Sequence, residues 1–518
     1  MEISQLKNKY PKARKFFSKL IPALSLLLIL LLFLSFILNY FLGFNWAFFV
    51  LWGLFIVLYI WWLIRGFEYV MLVLAGILRY KNFQKLNLQN IFSWKPVSKI
   101  EKQIFSKYNE SNLKISQVYH WVIIPTFQDP YEMIEDTFES IKDSDFDNKK
   151  ILITLAWEEA DKDNFLKLKE KIKEKYADTF SYLNFTLHKL QSGELQGKGS
   201  NVKYSAKTTY KDILKIAPWE NVMVHVMDSE SIVQDKYFSA MWLEFCLTKP
   251  DLRHKTIYQP MLFLLNRFFQ APYFSKVIAL SVGAYILWAS VKWVGTRAQA
   301  VQAQSLKSLL DTDFYSSETI TEDWHQYYRS YCAFNWKFQV KPVYTYVLLE
   351  PVIGQTIWET VKLQYNQIRR WAHWCLDLPY LVLCAYEKWK KLPKLRTLYE
   401  IFWLIEASVL WGSLQFILFF GSIFLALNGN AFWEVLLLFN ALALIVLLMV
   451  LLISYWFFPF KVLKFRNKLF ELWKYGFFTF TLMGPFLLIL NWLPALHAQL
   501  MILFWKPMGK FKVTKKYR

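Results

Sequence analysis

An α/β domain set between transmembrane α-helices is the fold class this sequence predicts, and three observations predict it. The apolar residues, 55% of the 518, come in blocks: no charged residue occurs from Leu20 to Ile64 or from Ala407 to Trp433. Between those blocks, short apolar runs alternate with charged amphipathic stretches, the pattern of strands and helices in a parallel sheet. The positive charge, +21 overall, flanks the apolar blocks, as Lys and Arg do on the cytoplasmic side of membrane proteins.

The same figures exclude several classes. A chain with 19% aromatic residues is not disordered. The basic excess forms no compact stripe and no nucleic-acid motif, so anionic lipid is the expected counterpart, not nucleic acid. The four cysteines, Cys246, Cys332, Cys375 and Cys384, contain no CxxC pair, so neither a disulfide scaffold nor a zinc site is expected.

Residues 1–19 form a basic tail. The uncharged run Leu20–Ile64 is long enough for two spans of roughly 20 residues, broken near Leu42-Gly43-Phe44-Asn45. The tail places the N-terminus inside, so residue 66 onward is inside as well. Tyr69–Leu78 reads as a separate interfacial helix. Val118–Pro125, Ile151–Leu155, Phe185–Lys189 and Val222–Met227 read as strands; Tyr131–Ile141, Asp161–Tyr176 and a stretch from Asn201 read as helices. Ile257–Trp293 is apolar, with an uncharged core Val277–Val291 that is short for a span and suits a buried or interfacial helix. Beyond the basic stop Lys388–Lys394, Ala407–Trp433 and Val435–Phe460 form a hairpin of spans, and Lys461–Lys474 is an inside connector. Tyr475–Trp505, with Pro485 and Pro494, re-enters, lies at the interface or makes two short spans, each of which keeps the basic tail inside.

In a parallel sheet the ligand sits at the carboxyl ends of the strands, so the polar residues there are the candidates. Asp228-Ser229-Glu230 follows a strand; two carboxylates one residue apart suit a hard cation, Mg²⁺ or Mn²⁺, or form an acidic turn. Thr321-Glu322-Asp323 precedes a helix, Trp324–Tyr331, and is either a cap or a general base. Gln367, Arg370 and Trp371 share a helical face. They are either a sugar-stacking, diphosphate-forking platform or, with Trp374, part of an aromatic belt. Gly197-Lys198-Gly199-Ser200-Asn201 lies between strand and helix, as a phosphate loop or an ordinary turn. Phe511-Lys512-Val513-Thr514-Lys515-Lys516 is by composition a basic terminus.

The order of these signals is specific. A strand ending in Pro-Thr, then GKGSN, DxE, TED, QxxRW and FxVTxK, all between spans, resembles the membrane-embedded processive glycosyltransferases of family 2, the cellulose synthase and hyaluronan synthase type. The resemblance covers residues 118–375 and the last few residues. It implies a GT-A fold and inverting transfer from a nucleotide sugar, a UDP-sugar first, to a polysaccharide or lipid-linked acceptor. It also implies Asp323 as base, Asp228 and Glu230 as metal ligands, and Lys198, Arg370 and Thr514 at the nucleotide. Gln367, Trp371 and Glu322 would meet the acceptor. Glu158 and Glu159 stand where the family carries an Asp for uracil; Glu230 replaces an Asp, and the glycine loop is two residues shorter than the family's. No regulatory domain is expected beyond the FxVTxK gate.

The expected organisation is a membrane region at 1–92, a cytoplasmic catalytic domain at 93–398, a second membrane region at 399–505 and a cytoplasmic tail at 506–518. The chain is expected as a multi-pass protein of the plasma (inner) membrane. The rival readings are non-processive transfer to a lipid carrier and an inactive scaffold subunit.

Overall fold

The computed structural model describes residues 2–427, apart from 94, 112, 114–116, 293 and 294, together with residues 488–504. Expectations for the hairpin partner Val435–Phe460, the connector Lys461–Lys474, most of the stretch before Leu488 and the tail with Thr514 fall outside the described residues.

Among the described residues the α/β domain is built on eight strands: β1 Tyr119–Thr126, β2 Ile151–Glu158, β3 Tyr182–His188, β4 Val222–Val226, β5 Ile232–Val233, β6 Thr256–Phe263, β7 Gln302–Ser305 and β8 Gln339–Leu348. Their order is β3-β2-β1-β4-β7-β6-β8-β5. The first four are parallel, with His120 opposite Ile151 and Tyr119 opposite Val222. Helices cover both faces, so β2 and β4 are buried at every position, which is why they read as unbroken apolar runs.

The sheet is not all parallel, as the alternation suggests, but mixed: β4 and β6 each pair with β7 antiparallel, β8 with β6 parallel and β5 with β8 antiparallel. The sequence reading misses this half: β8, whose Val-Tyr-Thr-Tyr-Val run alternates as a strand does, is not read as one, and β6 and β7 give few cues. β7 is the four-residue Gln-Ala-Gln-Ser, and β6 merges into the apolar stretch that begins at Ile257. The sheet and its flanking apolar helices make a GT-A-like α/β domain set among helices of membrane type.

Among the described residues four helices are long and apolar enough to cross a membrane, falling at Pro11–Tyr40, Ile56–Gln84, Tyr273–Val291 and Lys394–Gly421. They belong to α1 (Pro11–Tyr40), α2 (Asn45–Gln84), α4 (Tyr273–Val291) and α7 (Lys394–Leu427). The break between α1 and α2 comes where Gly43 turns the chain with φ +68°. Tyr69–Leu78 is not a separate interfacial helix: α2 runs unbroken through it, and Val70, Val73 and Ile77 join the sheet's core. Gly76 lets α2 touch α4, since a Cβ there would collide with the Leu287 carbonyl. α4 is mostly buried against α2 and β6, as a buried helix would be, because its apolar surface covers the far end of the sheet.

Three further helices carry the site, α3 Lys198–Ile216, α5 Glu322–Phe334 and α6 Ile357–Trp371, and α8 Leu493–Phe504 packs against α6. α3 starts at Lys198, three residues before the expected Asn201, because Gly197 takes φ +150°, a conformation open to glycine. One cysteine expectation changes. Cys332 and Cys384 are bonded to each other, joining α5 to the helix Asp377–Lys388, so one bridge exists where spacing gave no sign of any.

Candidate active site

The sheet order reverses between β1 and β4, and a crevice opens at their carboxyl ends. A cavity of about 210 Å³ fills that crevice. Thr126 ends β1 and Glu158 ends β2, Asp129 lies in the loop after β1, and Asp228, Ser229 and Glu230 follow β4; helix starts supply Lys198 and Asn201 from α3 and Glu322 and Asp323 from α5. One face of α6 supplies Gln367, Arg370 and Trp371. Helix periodicity alone accounts for the last three, which stand at i, i+3 and i+4.

Lys198 is the hub of the charge pattern. Its Nζ donates to Asp228 Oδ1 at 2.6 Å and to the carbonyl of Ala300 at 2.7 Å. Burial disfavours its charge, but the carboxylates of Asp228, Glu322 and Asp323 overcome that and hold its pKa above the usual lysine value. Burial pushes both neighbouring carboxyls, Glu322 and Asp323, upward; repulsion between the two adds to the rise at Glu322, while Lys198 opposes it in each. Arg370 faces the same carboxylates across the cavity, and burial lowers its pKa despite them. Glu158 is raised chiefly by burial, and its Oε2 accepts from Gln196 Nε2 at 3.1 Å.

Close approach of α3 and α5 depends on Gly199. A Cβ there would stand 2.5 Å from the Ser316 carbonyl and 2.9 Å from Cβ of Glu322. The loop after β1 is fixed by Asp129, whose Oδ2 accepts from Ser229 Oγ at 2.8 Å and from the Phe127 N–H at 3.1 Å. Asn201 Nδ2 ties α3 to β2 by donating to the Ala156 carbonyl at 2.7 Å.

Of the residues expected from sequence, Lys198, Glu158, Asp228, Glu230, Glu322, Asp323, Gln367, Arg370 and Trp371 line this one cavity. Glu159 does not: β2 ends at Glu158, and Glu159 turns out to solvent at the start of a 3₁₀ turn. Trp374 is not in an aromatic belt. It is buried beside Trp324, Trp403 and Trp411, with the Trp324 ring 4.1 Å away edge-on. The reading missed Asp129, Ala300 and Glu350. Asp129 was within reach, since it follows a strand read correctly; Ala300 and Glu350 carry no local signal.

Asp228 and Glu230 offer hard oxygen donors at the cavity wall, which suits Mg²⁺ or Mn²⁺. Among the described residues no three His, Cys, Asp or Glu side chains form a closed metal cage.

The fold and cavity define a GT-A-like domain with an acidic pocket bridged by one lysine. No family profile and no curated protein matches the chain. Among solved structures it is similar to the mannosyltransferase PcManGT from Pyrobaculum calidifontis in complex with GDP-Man and Mn²⁺, with 13% identity, 76% of this chain and 98% of that one covered, and a TM-score of 0.35. TarS 1–349 of S. aureus in complex with UDP is 15% identical over 68% of this chain and 93% of its own, with a TM-score of 0.30. GalNAc-T7 with UDP, GalNAc and Mn²⁺ is 10% identical over 56% of each chain, with a TM-score of 0.32. The assignment of the site rests on the geometry above.

Proposed function

We propose that the chain is a membrane-bound, inverting glycosyltransferase that polymerises sugars from a nucleotide sugar, a UDP-sugar first, into a β-linked polysaccharide. The observation that carries this reading is the single cavity shared by Asp228, Glu230, Lys198, Asp323, Gln367, Arg370 and Trp371. Long apolar helices on either side of the domain support a multi-pass protein of the plasma membrane, with the domain in the cytoplasm.

The chemistry follows from the residues. Asp323 accepts the proton of the acceptor hydroxyl as that oxygen attacks the anomeric carbon. The bond from that carbon to the diphosphate oxygen breaks on the opposite face, so the configuration inverts. A raised pKa makes Asp323 a stronger base than an ordinary carboxylate while Lys198 and Arg370 keep it ionised. Lys198 and Arg370 face the negative charge that collects on the departing diphosphate. A divalent cation held by Asp228 and Glu230 supplies further neutralisation there. Trp371 gives the acceptor ring a flat apolar surface, and Gln367 beside it gives hydrogen bonds.

The test is incorporation of radiolabelled UDP- and GDP-sugars by the purified chain with Mn²⁺ or Mg²⁺, followed by product sizing and linkage analysis. A high-molecular-weight β-linked product that disappears with Asp323→Asn is the expected result. A short lipid-extractable product sinks processive synthesis, and full activity of Asp323→Asn sinks the assignment of the base.

A further inference from the structure

The backbone that presents Ala300 to Lys198 is fastened to a helix of membrane type. Arg297 is fully buried, and its Nη2 donates to Oε2 of Glu400 on α7 at 2.7 Å; Glu400 is fully buried too. The other oxygen, Oε1, accepts from Tyr327 Oη at 2.5 Å. The guanidinium lies between two rings, 4.2 Å from the centroid of Tyr327 and 4.4 Å from that of Trp403. A planar group stacked on both faces and paired along its edge keeps one orientation.

Three residues further on, the Ala300 carbonyl meets Lys198 Nζ. The amide of Gln259 clamps the same loop from β6: its oxygen accepts from the Gln299 N–H at 2.9 Å and its nitrogen donates to the Val301 carbonyl at 2.8 Å. β7 then begins at Gln302, paired with Val226, two residues before Asp228. The loop is thus held at both ends, with Ala300 between.

We propose that Arg297 is a positioning residue: its ion pair with Glu400 fixes the Ala300 carbonyl, which aims the Lys198 ammonium at Asp228 and the donor diphosphate. α7 thereby sets the geometry of the donor site. The identity of the donor rests on the glycosyltransferase reading; the placement of Lys198 does not.

The experiment acetylates the full chain in detergent with acetic anhydride and follows Lys198 by mass spectrometry, with Lys215, whose side chain is 76% exposed, as internal reference. The variant is Arg297→Met/Glu400→Gln, which removes both buried charges together and leaves Tyr327 Oη an acceptor. It is expected to unfold cooperatively like the wild type. A Lys198 no longer held against Asp228 and the Ala300 carbonyl meets the reagent more readily, so its labelling is expected to rise severalfold. Glu400→Gln alone is the second variant and is expected to move in the same direction. In the kinetic arm, KM for the nucleotide sugar rises by about fivefold while kcat stays within about threefold. Labelling of Lys198 at the wild-type rate in a folded variant overturns the proposal. Absence of turnover by the wild type with every nucleotide sugar overturns the transferase reading instead and leaves the labelling result standing.

Discussion

Lys198 Nζ lies 2.6 Å from Asp228 Oδ1, so the only strand-end aspartate expected to hold a metal is already paired with a lysine from the glycine loop. The pair links the loop proposed to meet the donor phosphate with the carboxylate proposed to hold a cation, so one substitution tests both roles. Lys198→Met removes a charge-assisted bond and leaves Asp228, Glu322 and Asp323 facing one another. Nucleotide affinity measured by calorimetry is expected to fall about 10²-fold. Unchanged affinity would remove Lys198 from the donor site.

Asp323→Asn keeps the shape of the site and removes the proton acceptor. Turnover is expected to fall by about 10²- to 10⁴-fold, with calorimetric nucleotide affinity close to that of the wild type. A parallel loss of affinity would show that Asp323 serves binding instead.

Glu322 is raised above its ordinary carboxyl range by burial and by Asp323. A raised carboxyl favours the folded protein in its protonated form. Its contribution to stability is complete below the ordinary range and is lost as pH rises through the raised folded-state value. Glu322→Gln therefore raises the unfolding midpoint at pH 8, by about 2–4 °C for each kcal/mol relieved, and changes it little at pH 4. A gain that is the same at both pH values contradicts this origin. Asp323, raised in the same way, makes turnover of the wild type decline on acidification at a higher pH than an unperturbed aspartate would give.

Gly199→Ala puts a methyl group against the Ser316 carbonyl and Glu322. Overpacking of this kind costs about 1–3 kcal/mol, read as a lower denaturation midpoint, and it moves α5 and Asp323 away from α3. Retention of both stability and turnover would mean that the α3–α5 contact relaxes freely.

Trp371→Ala removes the flat wall beside Gln367. The acceptor KM is expected to rise about tenfold or more while nucleotide affinity is kept. Shorter products on a sizing gel accompany the change if Trp371 holds the growing chain. A change confined to nucleotide affinity would reassign the residue.

The sequence by itself determined the parallel half of the domain, the break between α1 and α2, and nearly every charged residue of the cavity. These are legible because they depend on local physics. A strand buried on both faces is an apolar run, a helix face repeats at i, i+3 and i+4, and parallel sheets present their ligands at the carboxyl ends of strands. Asp228 and Arg370 were candidates on such rules, whereas the role expected of Asp323 came from the order of the motifs and the resemblance it carries.

Only the tertiary structure decided the rest. β7, with Gln302 and Gln304 in a buried strand, has no apolar pattern, because its place is set by pairing with β4 and β6. Tyr69–Leu78 is the tail of α2 and no surface helix, because α4 arrives from 200 residues further along the chain to cover it. The Cys332–Cys384 bridge and the Arg297–Glu400 pair join residues 52 and 103 positions apart. The hold of Ala300 on Lys198 uses a backbone carbonyl, which every residue type possesses. Local pattern records which face of an element is apolar; which long-range partner meets that face is a property of the folded chain.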